Sequence, residues 1–166
     1  MSEDAERRIK VRRRVHFSAI LPPSLICAGV IVFGIFLQAV WPLYLIPKLV
    51  YVRLGLGISL YIVGALLLVA SIAAFRLAGE RVSQKHSTKT IVTEGPYKFS
   101  RNPMYLAYMM LTLGVALIFG NGWIITLLVP AAALIHWGVV RREEHYLRAK
   151  FEDEFRFYKL EVNRWF

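Results

Sequence analysis

The 166-residue chain is 57% hydrophobic and 19% charged, against roughly 45–50% apolar residues in soluble domains. Its apolar residues run together instead of being interspersed, which excludes an ordinary soluble core and points to lipid as the solvent. A net charge of +10 would suit a nucleic-acid binder, but the Lys and Arg residues sit beside the apolar windows, so no nucleic-acid partner is expected.

Taken in chain order, a basic tail over 1–16 carries Arg7, Arg8, Lys10, Arg12, Arg13 and Arg14, an orientation signal and anchor for anionic lipid. It leads into a full-length apolar window, so no cleavable signal peptide is expected. Residues 15–47, 54–75 and 102–140 contain no Asp, Glu, Lys or Arg. A crossing needs about 20 helical residues. The first window predicts a helix over 22–41, opened by Pro22 and Pro23 and stopped by Pro42, with Phe17 to Leu21 in the interface. Its Cys27, the single cysteine, offers neither a disulfide nor a metal cluster. The second predicts a helix over 54–75, along which Gly57, Gly64 and Ser71 recur every seven residues and would let a neighbour approach closely. The third is divided by the turn Gly120-Asn121-Gly122 into helices over 104–119 and 123–140. The fold class is therefore all-α: one domain over 1–166, a polytopic membrane bundle of about four transmembrane helices with an amphipathic tail over 141–166.

Basic residues number six before the first helix, two in the first connection, six in the second, none in the third and seven after the fourth. The positive-inside rule then predicts both termini and the loop 76–101 in the cytoplasm. The membrane would be the plasma or inner membrane of a bacterium, or the endoplasmic reticulum of a eukaryote.

Two polar segments on that side carry chemistry. In the loop, Thr93-Glu94-Gly95-Pro96-Tyr97-Lys98-Phe99-Ser100-Arg101-Asn102-Pro103-Met104-Tyr105 sets two prolines, two tyrosines and an arginine against the start of a helix. Arg101 presents a planar fork suited to carboxylate or phosphate, and the tyrosines can cover an aromatic ring. As a plain boundary, Arg101 would mark the inner face and the tyrosines an aromatic belt. The tail opens with Arg141-Arg142-Glu143-Glu144, and adjacent helical residues diverge by about 100°, so the carboxylates suit two different ligand groups better than one acid–base pair. Beyond them Leu147, Phe151, Phe155, Tyr158 and Val162 keep a helical apolar spacing, compatible with lying on the bilayer or with folding back under the bundle. Trp165 suits an interfacial anchor. His136 precedes Glu143 and Glu144 on one helix, but with no paired His or Cys motif it reads as a hydrogen-bonding residue, and no metal is expected.

These residues together, Gly95-Pro96-Tyr97, Arg101-Asn102-Pro103-Met104-Tyr105 and Glu143-Glu144 in a four-helix hydrophobic frame, resemble the isoprenylcysteine carboxyl methyltransferase and phospholipid methyltransferase superfamily. The resemblance covers roughly 54–166. It implies a cytosolic S-adenosylmethionine site closed by the C-terminal segment, and a lipophilic methyl acceptor entering from the bilayer. Carried over by position, it implies that Tyr97, Asn102, Pro103, Tyr105, Glu143 and Glu144 bind the cofactor. The two glutamates would meet its amino or ribose groups and the two tyrosines its adenosyl part. Arg101 and Asn102 fall at the catalytic positions, with Arg101 orienting an anionic substrate, while Phe151, Glu154, Phe155 and Tyr158 match the closing helix. The acceptor classes implied are an isoprenylcysteine carboxylate, a phospholipid amine or another isoprenoid or lipid. Two departures stand out: Asn102 occupies the position of a His in eukaryotic members, and Asn163 that of a Pro. An amide cannot act as a base near neutral pH; methylation of a carboxylate needs none, whereas that of an ammonium does, and the sequence leaves O- and N-methyl transfer both open. A sterol-reductase-like enzyme using NADPH and a non-enzymatic membrane assembly protein are the alternatives from other classes.

Overall fold

The computed structural model describes residues 21–45, 49–79 and 90–165. The basic tail over 1–16, Phe17 to Ile20, and Arg81, Lys85 and Lys89 of the expected loop lie outside the described residues. Regular structure among the described residues is helical, with one isolated antiparallel bridge between Tyr44 and Asn121.

Helix α1, Pro23–Val40, starts on Pro23, whose missing N–H costs nothing in a first turn, and ends at Trp41 before Pro42. Helix α2, Val50–Leu77, begins four residues before the expected 54 because Arg53 does not need water. Its Nη1 donates to the carbonyls of Ile118 at 3.3 Å and of Leu117 at 2.6 Å, the latter shared with the Gly120 N–H at the end of α3.

Helix α3, Pro103–Phe119, stops at Gly120, whose φ of 66° is a left-handed conformation that glycine adopts without a Cβ penalty. Asn121 then caps α4, Gly122–Leu134, by accepting from the Ile124 N–H at 3.2 Å, and donates from Nδ2 to the Gly34 carbonyl at 3.1 Å. The chain does not break at Val140. A π-helical segment, Ile135–Val140, leads directly into α5, Arg141–Glu161. Such wide turns re-aim the residues that follow, and here those are Arg141 to Glu144.

Helices α1, α2 and the run from Gly122 to Glu161 are long and apolar enough to cross a membrane, and α3 is a shorter apolar helix. The expected stripe on α2 does face a partner: Gly57, Gly64 and Ser71 are buried. A Cβ on Gly57 would lie 2.9 Å from the Ile118 nitrogen, and one on Gly114 would lie 2.9 Å from the Gly57 carbonyl, so α2 and α3 meet backbone to backbone. On the outer faces Val32, Phe33 and Phe36 of α1 and Leu66 and Val69 of α2 are exposed. Apolar surface of that extent is a liability in water and ordinary in lipid.

Candidate functional site at the loop and tail end of the bundle

The end of the bundle away from Gly120 is built from the loop after α2, the start of α3 and both parts of α5. Val92 and Tyr97 pack against Ala74 and Phe75, the Tyr97 and Phe75 rings being 5.2 Å apart. The 3-10 turn Gly95–Lys98 brings the loop round, and Pro103, fully buried, starts α3. Inside α5, Glu152 takes φ 43° and ψ −106°, a sharp reversal in an otherwise helical run. The second half of α5 thereby turns back under the loop, with Phe155, Tyr158 and Val162 buried beside Ile91, Leu147 and Phe151. Of the two arrangements open to the amphipathic tail, folding back is the one observed.

The last residues are tied to the loop by backbone and side chain together. Tyr158 Oη donates to the Tyr97 carbonyl at 2.7 Å, and the Arg101 N–H donates to the Asn163 carbonyl at 3.0 Å. The Arg164 carbonyl accepts from Asn102 Nδ2 at 3.0 Å and Ser100 Oγ at 3.3 Å. Trp165, expected as an interfacial anchor, donates its indole N–H to His136 Nδ1 at 3.2 Å, and the Arg164 Nη1 lies 3.4 Å from His136 Nε2. His136 thus accepts a hydrogen bond from another element through Nδ1, which leaves the proton on Nε2 and makes the Arg164 approach a contact only.

Two charged groups sit inside this frame. In the first, Tyr105 Oη donates to Glu143 Oε2 at 2.7 Å. Burial pushes the Glu143 carboxyl above the usual range; the Tyr105 hydrogen bond opposes this and the Glu144 charge adds to it. The Tyr97 hydroxyl is buried with no hydrogen-bond partner among the described residues, and burial, then Glu143, push its pKa up. Burial likewise pushes Tyr158 up to about 12.

In the second group Glu144 is shared by two guanidiniums. Arg164 grips it with Nε to Oε1 at 2.9 Å and Nη2 to Oε2 at 2.7 Å, a fork-to-fork pair. Arg101 approaches only through Nη1, 3.1 Å from Oε1 and outside hydrogen-bonding alignment. Its side chain is 8% exposed, and its Nε and Nη1 are buried without an acceptor among the described residues. Burial pulls Arg101 below its ordinary value against the opposing Glu144 charge. Burial also pushes Glu144 up, but the Arg164 hydrogen bonds and the charges of Arg101 and Arg164 prevail and hold it below the carboxylate range.

The sequence-selected residues therefore converge at one end of the bundle but divide into sets. Tyr105 and Glu143 are bonded, and the Tyr97 hydroxyl lies within the reach of the Glu143 charge. Arg101 and Glu144 are paired, while the Asn102 amide and Pro103 hold the tail and the start of α3. Glu154 is exposed, unlike Phe155 and Tyr158. Sequence reasoning missed Ser100 and Arg164. The cation Arg164, four residues beyond Leu160 and outside the helical apolar spacing, was the signal available for the latter.

No solved structure matches this chain. Over 98 residues it is 30% identical to the cobalt-zinc-cadmium resistance protein CzcN of Cupriavidus metallidurans, a match spanning 59% of this chain and 40% of that protein. Over 62 residues it is 42% identical to an uncharacterized protein of Haemophilus influenzae, covering 37% of this chain and 98% of the relative. A sequence profile described as phospholipid methyltransferase matches residues 52–154, well over half of the chain, from the first turn of α2 through the reversal at Glu152. With its long apolar helices, the chain is a membrane protein and belongs to the phospholipid methyltransferase family.

Proposed function

We propose that this protein transfers a methyl group from S-adenosylmethionine to a lipophilic, anionic acceptor that reaches the site from the bilayer. The observation that carries the reading is the unsatisfied set at the loop and tail end: Arg101 Nε and Nη1 and the Tyr97 hydroxyl, all buried without a hydrogen-bond partner among the described residues, beside Glu143. Buried polar groups are nearly always paired, so a cluster of orphans calls for a ligand.

The residues fit the cofactor. Glu143 in its ionised form would receive the amino group, Tyr97 and Tyr105 would face the adenosyl part, and Pro103 would fix the wall beside them. When bound, S-adenosylmethionine supplies a methyl group on a sulfonium, which is already a good leaving group. The chain is then left with orientation and the exclusion of water. Arg101 offers N–H donors and a positive charge, so its complement is a carboxylate or phosphate held through two parallel hydrogen bonds. The Asn102 amide, occupied with the Arg164 carbonyl, holds the tail and takes no proton. A carboxylate nucleophile needs no base, which favours ester formation. The family profile supports a second reading, methylation of a phospholipid amine with Arg101 on the phosphate and Glu143 receiving the proton.

In the topology that accompanies this reading, four helices cross the bilayer with both termini and the site in the cytoplasm. Labelling Ser2 and the C-terminal end from opposite faces would refute it. For the chemistry, calorimetry in detergent with S-adenosylmethionine, NADPH and buffer alone should show binding of the first only; NADPH binding would favour a reductase. Label passed from S-adenosylmethionine into native lipid extract and released as methanol by alkali marks a methyl ester. Alkali-stable label marks an amine, and label confined to water-soluble acceptors rules out lateral entry.

A further inference from the structure

We propose that Arg164 is a positioning residue that keeps the Arg101 guanidinium available to the acceptor by occupying Glu144. This rests on the reading of Arg101 as the acceptor's anchor. A carboxylate can satisfy one guanidinium fork completely, and Arg164 has taken that place, with bonds of 2.9 and 2.7 Å to the two oxygens. Arg101 is left at the edge of the same carboxylate, with Nη1 3.1 Å from Oε1 and both Nε and Nη1 buried without a hydrogen-bond acceptor among the described residues. Two cations share one anion, so the pairings leave a net positive charge, and the orphaned N–H groups place it on Arg101.

The main chain fixes the same arrangement. The Arg101 N–H holds the carbonyl of Asn163, and the neighbouring Ser100 and Asn102 side chains both hold the carbonyl of Arg164. Residues 100–102 and 163–164 are therefore in fixed register, and the Arg101 and Arg164 side chains meet at Glu144, both approaching its Oε1. Without Arg164, nothing would stop the Arg101 fork from turning onto Glu144 as a two-bond pair, the most favourable partner open to a buried guanidinium. Its donors would be consumed and its charge cancelled. Glu144 acts in this arrangement as a strut between two cations, and contact with the cofactor falls to Glu143.

The test uses the full-length protein in detergent micelles and laurate as a soluble lipophilic carboxylate. Laurate and S-adenosylmethionine affinities are measured by calorimetry, with thermal melting as the folding control. Arg164→Ala should weaken laurate binding about tenfold, the worth of one charged hydrogen bond, and change cofactor affinity less than about threefold. Adding Glu144→Gln removes the charge that captures Arg101, so Arg164→Ala/Glu144→Gln should bind laurate within about threefold of wild type. A merely structural Arg164 predicts the reverse, because the double variant loses more tail contacts than the single one. A double variant that binds laurate no better than Arg164→Ala overturns the proposal, as does an Arg164→Ala variant with wild-type affinity. Arg164→Lys, which keeps the tail's charge and one bond, should fall between wild type and Arg164→Ala; a loss confined to cofactor affinity also overturns it. Should wild type show the laurate pattern yet pass no methyl group to any lipid, the methyltransferase reading fails and the positioning role stands.

Discussion

The two ends of the bundle use the same residue types to opposite effect. At the Gly120-Asn121-Gly122 end, Arg53 donates to two carbonyls at the end of α3, and Asn121 both caps α4 and holds the Gly34 carbonyl. At the other end, Arg101 has two buried nitrogens and Tyr97 a buried hydroxyl without a hydrogen-bond partner among the described residues, and two guanidiniums divide one carboxylate. Gln38 Nε2, a neutral amide on α1, is the one comparable orphan toward the first end among the described residues. A satisfied arginine is an element of structure, whereas a buried arginine with open donors calls for another explanation, and the one proposed above is a bound anion.

That contrast is most directly broken by exchanging each arginine. Arg101→Lys should raise the KM of the lipid acceptor or lower kcat by about a hundredfold, since a lysine ammonium cannot make two parallel bonds, while cofactor affinity changes far less. Arg53→Met should leave both affinities alone and cost about 1–2 kcal/mol of stability, from the two charged hydrogen bonds lost at the end of α3, where the Leu117 carbonyl keeps the Gly120 N–H. The two variants are compared by labelled methyl transfer, calorimetry and melting. If cofactor affinity fell with Arg101→Lys, Arg101 would belong to the cofactor; if Arg53→Met abolished transfer, the two ends would not differ as stated.

Glu143→Gln comes next in size. Losing a charged hydrogen bond to the cofactor's amino group should cost about 1.5–3 kcal/mol, or roughly ten- to a hundredfold in affinity, with the protein still folded. Burial raises the Glu143 pKa, so the ionised form that pairs with an ammonium is gained only as pH rises through that raised value. Wild-type affinity should therefore strengthen with rising pH and then level, and Glu143→Gln should flatten the curve. For stability the sign is opposite. The folded protein holds this proton more tightly than the unfolded chain, so stability falls as pH climbs from the unfolded toward the folded pKa. A pH profile unchanged by the mutation would remove Glu143 from the cofactor site.

How far these arrangements could be read in advance depended on the range of the interactions. The helices were legible because lipid imposes long charge-free windows, and the turn because Gly120-Asn121-Gly122 has few other uses. The start of α2 was misplaced by four residues because an arginine inside an apolar helix is costly unless something distant satisfies it. The carbonyls of Leu117 and Ile118 lie more than sixty positions away. At the site, Arg101, Glu143 and the tyrosines were visible as chemistry concentrated at a membrane boundary. The partition of the two carboxylates, with Glu143 beside Tyr105 and Glu144 between two arginines, depends on a π-helical segment and on a reversal at Glu152, neither of which has a signature in local sequence. Arg164 was hidden for the same reason, since only the returning tail brings it to Glu144.

A packing variant tests whether the α2–α3 seam is common to both ends or serves only the first. Gly114→Val would drive side-chain atoms into the Gly57 carbonyl and the Tyr61 backbone, contacts already at 2.9 and 3.0 Å for a bare Cβ. Overpacking of this kind costs about 1–3 kcal/mol. Melting should fall accordingly, with laurate and cofactor affinities at wild-type values below the transition. Loss of either affinity in folded protein would mean that the seam also shapes the site.

The smallest effect concerns backbone strain, where the ends differ once more. The left-handed residue at the turn end is Gly120, with φ 66°, whereas the reversal at the site end is made by Glu152 at φ 43° and ψ −106°. A side chain in so sparsely populated a region costs about 1–3 kcal/mol, and glycine would remove most of that. Against this stands the larger freedom glycine gives the unfolded chain, about 0.5–1 kcal/mol. Glu152 is exposed, so the substitution removes little packing. Glu152→Gly should therefore stabilise by about 1 kcal/mol and raise Tm by about 2–4 °C. Glu152→Ala keeps the Cβ and with it the strain, so it should leave Tm near wild type and separates relief of strain from loss of the carboxylate. If Glu152→Gly melted lower than Glu152→Ala, the reversal would not be strained, and the tail would owe its position under the loop to the contacts of Tyr158, Arg164 and Trp165 alone.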